Sequence, residues 1–139
     1  MRLLARREHS RAELARKLAP HAESAEQIQA LLDELAAARL LSNERFAESL
    51  VHRRAARYGS ATIGHELRTH GLDEDLVRDH LSVLERTEFE RVRTVWARRF
   101  GRRPDSPAER ARQIRFLLAR GFSAATVYRV LGARPDDEG

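Results

Sequence analysis

The chain has 139 residues and a formal net charge of +5, with 42% hydrophobic, 34% charged and only 6% aromatic residues. That is enough apolar matter for packed helices and too little aromatic bulk for a thick core. Cysteine is absent, which excludes disulfides, thiol nucleophiles and thiolate metal sites. No apolar run approaches the ~18 residues of a membrane-spanning helix, so a soluble, cytoplasmic protein is expected.

Met1 to Glu8 reads as a short helical piece whose apolar residues are Leu3 and Leu4. Ser10-Arg-Ala-Glu13 is a helix start in which the Ser10 hydroxyl takes the Glu13 amide and the Glu13 carboxylate takes the Ser10 amide. Leu14 and Leu18 follow on one face, and Pro20 ends the helix. Ser24-Ala-Glu-Gln27 repeats the start signal and opens a helix with Ile28, Leu31, Leu32 and Leu35 at helical spacing.

Ser42 or Asn43 caps the next helix, whose apolar positions are Phe46, Leu50, Val51, Ala55 and Tyr58, with Gly59 as its C-terminal break. Ser60 starts a helix with Ile63 and Leu67 inward, ended by Gly71. Asp73 caps another, with Leu76, Val77, Leu81 and Leu84 inward and an acidic outer face.

A new helix is expected from about Glu88, with Phe89, Val92, Trp96 and Phe100 in one stripe and Gly101 ending it as Gly59 ends its counterpart. Ser106-Pro-Ala-Glu109 is a third start signal, with proline at the first helical position. Gly121 closes that helix, Ser123 caps a last one with Val127, Val130 and Leu131 inward, and residues 134–139 form a flexible acidic tail.

The pattern is periodic. Ser24, Asp73 and Ser123 stand 49 and 50 residues apart, with an apolar residue four and eight positions after each (Ile28, Val77, Val127; Leu32, Leu81, Leu131). The predicted fold is therefore all-α: three tandem three-helix repeats, 1–41, 42–87 and 88–133, stacked into an elongated, curved array.

Enzyme chemistry finds little support in the sequence. His65 and His70 almost form a zinc motif, but five-residue spacing turns them ~140° apart on a helix at ~100° per residue. Gly59, Gly71 and Gly121 read as helix ends rather than a phosphate loop, and no serine or threonine sits in a nucleophile context. No catalytic residue, cofactor site or metal site is assigned.

What remains is arginine. Lys17 is the only lysine; a codon bias explains this, although planar guanidinium forks also suit carboxylate and phosphate contacts. Arg53, Arg54 and Arg57 group at one helix end, with Arg53 and Arg57 on one face. Arg98, Arg99, Arg102 and Arg103 cluster at another, and Arg112, Arg115 and Arg120 follow on the next helix alongside Arg110. Each singly is an ordinary solvated residue. Together, between Arg91 and Arg120, where acids thin out to Asp105 and Glu109, they suggest a binding surface for phosphates or acidic protein loops. Trp96 and Phe100 are expected to face inward, not to stack on bases.

Three stretches resemble the RecX family, bacterial regulators of the recombinase RecA: LLARREHSRAELARKL (3–18), LLSNERFAESLVHRRAARYGSATIGHELRTHGLDEDLV (40–77) and RQIRFLLARGFSAATVYRVL (112–131). Repeat one departs in having Pro20-His21-Ala22 where the other copies have a glycine turn. Met1 also leaves almost no lead-in, as in a short member or one whose natural N-terminus is longer. The resemblance implies three three-helix repeats and a monomer lying in the groove of the RecA–DNA filament. It implies restraint of filament growth, ATP hydrolysis, strand exchange and co-protease activity, and hence a part in DNA repair and the SOS response. It implies no catalytic residues. Weak contact with single- or double-stranded DNA is a further expectation, and direct DNA binding without RecA is the alternative.

Overall fold

The computed structural model describes residue 4 and residues 6–132, and these hold helices and turns without strands. The expectations for Leu3 and for the 134–139 tail lie outside the described residues. The helices are α1 (Arg11–Leu18), a 3-10 turn (Ala19–His21), α2 (Ala25–Ala37), α3 (Asn43–Arg54), α4 (Ser60–Thr69), α5 (Glu74–Arg99), α6 (Pro107–Ala119) and α7 (Ala124–Leu131). They divide between two compact units, residues 1–52 with 66–80 and residues 53–65 with 81–139.

In the first unit the serine caps form as the sequence requires. The Ser10, Ser24 and Ser42 hydroxyls accept from the Glu13, Gln27 and Arg45 amides, each at 3.1 Å. The return halves of the boxes do not form. The Glu13 carboxylate turns to Arg7, and Gln27 Oε1 takes the Glu23 amide at 2.7 Å instead of that of Ser24. An arginine partner outbids a neutral amide for a carboxylate. Asn43, the alternative cap, accepts from the Arg11 amide at 2.8 Å and so ties the start of α3 to the start of α1.

Leu14, Leu32, Leu35 and Leu41 form one core cluster of this unit, with Leu18, Ile28 and Leu31 packed around it, and Phe46, Leu50, Leu67 and Val77 are buried as well. Full burial of such a side chain is worth about 1.5–3 kcal/mol. Arg39 has φ 61°, a left-handed residue that lets the amides of Leu40 and Leu41 return to the Leu35 carbonyl. In the 66–80 segment, His70 sets its ring edge-on to Phe46, 4.8 Å between centroids. Gly71 has φ +73°, and a Cβ there would stand 2.7 Å from that of Ala12.

The expected break near Glu88 does not exist. α5 runs unbroken for 26 residues, ~39 Å at 1.5 Å per residue. From Leu84 to Phe89 the chain has no glycine or proline to stop it, and the Thr87 hydroxyl donates back to the Leu84 carbonyl at 3.2 Å instead of capping a new helix. Glu88, instead of opening a helix, is 5% exposed and receives the Ser123 amide and hydroxyl and the Thr126 hydroxyl, at 3.2, 3.2 and 3.0 Å.

Two more expectations change in the second unit. α3 stops at Arg54, well before Gly59, and the cap of α4 is Gly59 itself, whose carbonyl accepts from Ile63 at 3.1 Å. Ser60 is the first helical residue. Gly59 has no left-handed backbone; its missing side chain admits Gly121, as described below. Gly101 does end its helix as expected, at φ +64°. Ser106 and Ser123 cap α6 and α7 at 3.1 and 3.3 Å. Val92, Ile114, Leu117, Phe122, Val127, Val130 and Leu131 make the core, with Trp96 and Phe116 at its edge.

Candidate partner-binding surface

The second unit concentrates the arginines that have no carboxylate to answer them. In the first unit Arg7, Arg11, Arg45, Arg68 and Arg78 pair with Glu13, Asp33, Glu8, Glu74 and Asp75. In the second, Arg53, Arg57, Arg98, Arg102 and Arg115 are exposed and have no ion-pair partner among the described residues.

Aromatic rings order part of this set. α6 and its C-cap carry Arg112, Phe116 and Arg120 four residues apart, hence on one stripe. The end of α5 brings Arg99 and Phe100 beside it. Phe100 and Phe116 meet edge to face, 5.4 Å between centroids at 85°. Arg99 lies over both rings, at 5.8 and 5.1 Å. Arg112 lies over Phe100 at 5.3 Å, and Arg120 over Phe116 at 5.0 Å and Tyr58 at 5.1 Å. Each such contact is worth ~0.5–1 kcal/mol at an exposed site. Stacked guanidiniums also have less rotamer freedom to lose on binding. Arg99, Arg102, Arg103 and Arg112 border an open cleft of about 360 Å³ together with Phe100, Gln113 and two carboxylates, Asp105 and Glu109.

Other arginines of the run work inside the unit. Arg91 donates to the carbonyls of Ala55, Tyr58 and Leu84 at 3.0, 2.7 and 3.0 Å; burial lowers its pKa from the usual arginine value. Arg103 donates to the Leu131 carbonyl at 2.7 Å and stands 6.0 Å from the Trp96 ring, closing the end of α7. Arg110 donates to Gly132 at 2.8 Å. Arg112 carries an ion pair to Glu109 at 2.9 Å as well as its ring contact. Gln113, 2% exposed, accepts from Trp96 Nε1 at 2.8 Å and donates to the Arg102 carbonyl at 3.1 Å, which pins the basic loop to α6.

Of the ten candidate arginines, the structure thus assembles Arg99, Arg112 and Arg120 around rings. It leaves Arg98, Arg102 and Arg115 beside them unpaired and engages Arg103 as a helix-end donor. Arg54 is half-buried. Arg57 lies in the turn after α3, off the helix face expected to hold it with Arg53, because α3 has already ended. Sequence reasoning missed Phe116 and Tyr58, although the Arg112-x3-Phe116-x3-Arg120 spacing was there to find. Trp96 faces inward as expected. Phe100 stays half-buried and carries two guanidiniums. Among the described residues no three His, Asp or Glu side chains form a metal-holding group, and no helix is long and apolar enough to cross a membrane.

Comparison with known proteins places these helices. Models of the first, second and third three-helix domains of RecX match residues 1–35, 42–81 and 86–131. The second match ends, and the third begins, within α5. A regulatory protein made of three-helix domains is the class so defined. "Regulatory protein RecX" of Ralstonia nicotianae is 57% identical over 128 residues, 92% of this chain and 80% of that protein. That of Herminiimonas arsenicoxydans is 46% identical over 138 residues, 99% and 91% of the two chains. The crystal structure of RecX from Lactobacillus salivarius shares the fold, with TM-score 0.80 at 20% identity over 94% of this chain and 88% of that one. The chain belongs to the RecX family.

Proposed function

We propose that this protein is a cytoplasmic, non-enzymatic modulator of RecA that binds the RecA–DNA filament and restrains its growth, ATP hydrolysis, strand exchange and co-protease activity. Family membership supplies the regulatory role. The observation that carries the binding reading is the ring-ordered arginine surface of the second unit, with Arg98, Arg99, Arg102 and Arg115 open to an acidic partner or to filament phosphates. The protein acts as a monomer, with three domains, 1–41, 42–87 and 88–133, spreading many weak contacts along a polymer.

The test is RecA ATP hydrolysis on single-stranded DNA, with this protein titrated from well below one copy per RecA subunit. Inhibition at substoichiometric ratios is expected, because a ligand of a polymer acts beyond the subunit it touches. Reversing Arg98, Arg99, Arg102 and Arg115 to glutamate removes inhibition while circular dichroism stays unchanged. No inhibition by the folded wild type overturns the reading.

Arginines stacked on half-buried rings also suit nucleic acid directly. Tight binding to bare DNA, falling steeply with salt, together with no effect on RecA, would replace the first reading with a DNA-binding module acting alone.

A further inference from the structure

Lys17 is the chain's only lysine, and its surroundings are not those of an ordinary surface amine. Its Nζ lies 3.1 Å from Nε2 of His9 and 3.8 Å from the Glu13 carboxylate. His9 is 1% exposed, and its Nδ1 lies 3.1 Å from the Arg7 carbonyl oxygen. A carbonyl oxygen only accepts, so Nδ1 carries the hydrogen and Nε2 turns its lone pair toward Lys17. Burial, the largest influence on His9, holds its pKa below the ordinary histidine value, so that lone pair is free at neutral pH. The Lys17 side chain is 40% exposed. The nitrogen is therefore open to a solute on one side and backed by a shielded base on the other.

Nucleophile, base and a third group that orients the base are the arrangement that activates side chains for covalent chemistry. We propose that Lys17 is a self-activated acylation site that accepts acyl groups from small acyl phosphates.

The Lys17 ammonium first gives one proton to water. The amine attacks the acyl carbon and the N–C bond forms. Its second proton passes to His9 Nε2, the C–O bond to phosphate breaks, and inorganic phosphate leaves with the bonding pair. His9 then returns its proton to water. An amide replaces a cation, so the ion pair with Glu13 is lost, while Glu13 keeps Arg7.

Acetyl phosphate is the probe, and an internal reference makes the test quantitative. Arg86 is exposed on α5, with no ion-pair partner among the described residues. Arg86→Lys places a second lysine there without a histidine behind it. The folded variant is treated with acetyl phosphate, and the two acetyl-lysine peptides are quantified by mass spectrometry. Lys17 should react roughly tenfold faster than the lysine at position 86, a modest share of what a positioned base supplies. The ratio should fall to about one in urea-unfolded protein. His9→Gln, which retains a donor for the Arg7 carbonyl and offers no base, should abolish the preference. Equal rates in the folded protein overturn the proposal, as does a preference that survives His9→Gln in a variant folded by circular dichroism. If His9→Gln does not fold, the folded-to-unfolded comparison decides alone, and a ratio unchanged by urea overturns the proposal.

Discussion

Gly59 and Gly121 touch backbone to backbone. The Gly59 amide donates to the Arg120 carbonyl at 2.8 Å, and the Gly121 carbonyl accepts from Ala61 at 3.1 Å. A Cβ on Gly59 would stand 2.3 Å from the Gly121 carbonyl carbon, and one on Gly121 2.2 Å from Thr62 Oγ1. All three obstacles to a Gly59 side chain, the carbonyl carbon and oxygen of Gly121 and the amide nitrogen of Phe122, are main-chain atoms, which do not rotate away. Gly59→Ala should therefore cost on the order of 3 kcal/mol, the upper range for overpacking, read as a lower urea midpoint at unchanged slope.

Arg91 donates to three carbonyls, those of Ala55 and Tyr58 and that of Leu84, the last shared with the Thr87 hydroxyl at 3.2 Å. Arg91→Met keeps the aliphatic stem but leaves those oxygens without their charged donor. A loss of about 2–3 kcal/mol is expected from hydrogen bonds to a charged group. Arg91→Lys should recover only part of it, because an ammonium lacks the fork that spans separated acceptors. Thermal unfolding of both variants distinguishes these outcomes.

The neighbours Arg102 and Arg103 should separate binding from stability. Arg103→Ala removes the donor from the Leu131 carbonyl and should cost about 1 kcal/mol. Arg102→Ala should stay within about 0.5 kcal/mol of wild type and weaken filament binding instead. Equilibrium unfolding and filament co-sedimentation of the pair check both halves.

Stability should fall with acid in two windows. His9 has its pKa lowered from 6.5 chiefly by burial, so the unfolded chain binds a proton that the folded one refuses. Its contribution is complete above pH 6.5 and is lost as pH falls toward the folded pKa. Burial works to raise the Glu13 pKa, but the hydrogen bond and charge of Arg7 outweigh it, and the net shift is down from 4.5. That contribution is lost at lower pH, below 4.5. Denaturation of His9→Gln from pH 7 down to about pH 3 should show the first slope flattened and leave the second, below pH 4.5, in place.

Much of this was legible because helix punctuation is local. A serine three residues before its donor amide reports a cap wherever the chain goes, and Ser10, Ser24, Ser106 and Ser123 all cap. Core positions followed from the 3.6-residue period for the same reason. The errors came where a residue's role is set by something distant. Gly59 looks like a helix end, yet its glycine is demanded by Gly121. Glu88 looks like a helix start until Ser123 and Thr126 claim it. The arginine surface was legible as charge density, but its order was not: Tyr58 meets Arg120, and Phe100 meets Phe116, only in three dimensions.

The makeup of the second unit constrains its birth. Its first segment, 53–65, is separated in the chain from the rest of the unit, 81–139. At ~5–20 residues per second, this segment emerges from the ribosome seconds before Gly121 exists to pack against it. Ile63, fully buried at the end, spends that interval without its finished surroundings. The first unit needs nothing beyond residue 80 and can close early. A nascent chain stalled before Phe122 should therefore present 53–65 to proteases and chaperones, whereas the full chain released from the ribosome, with α7 in place, should not.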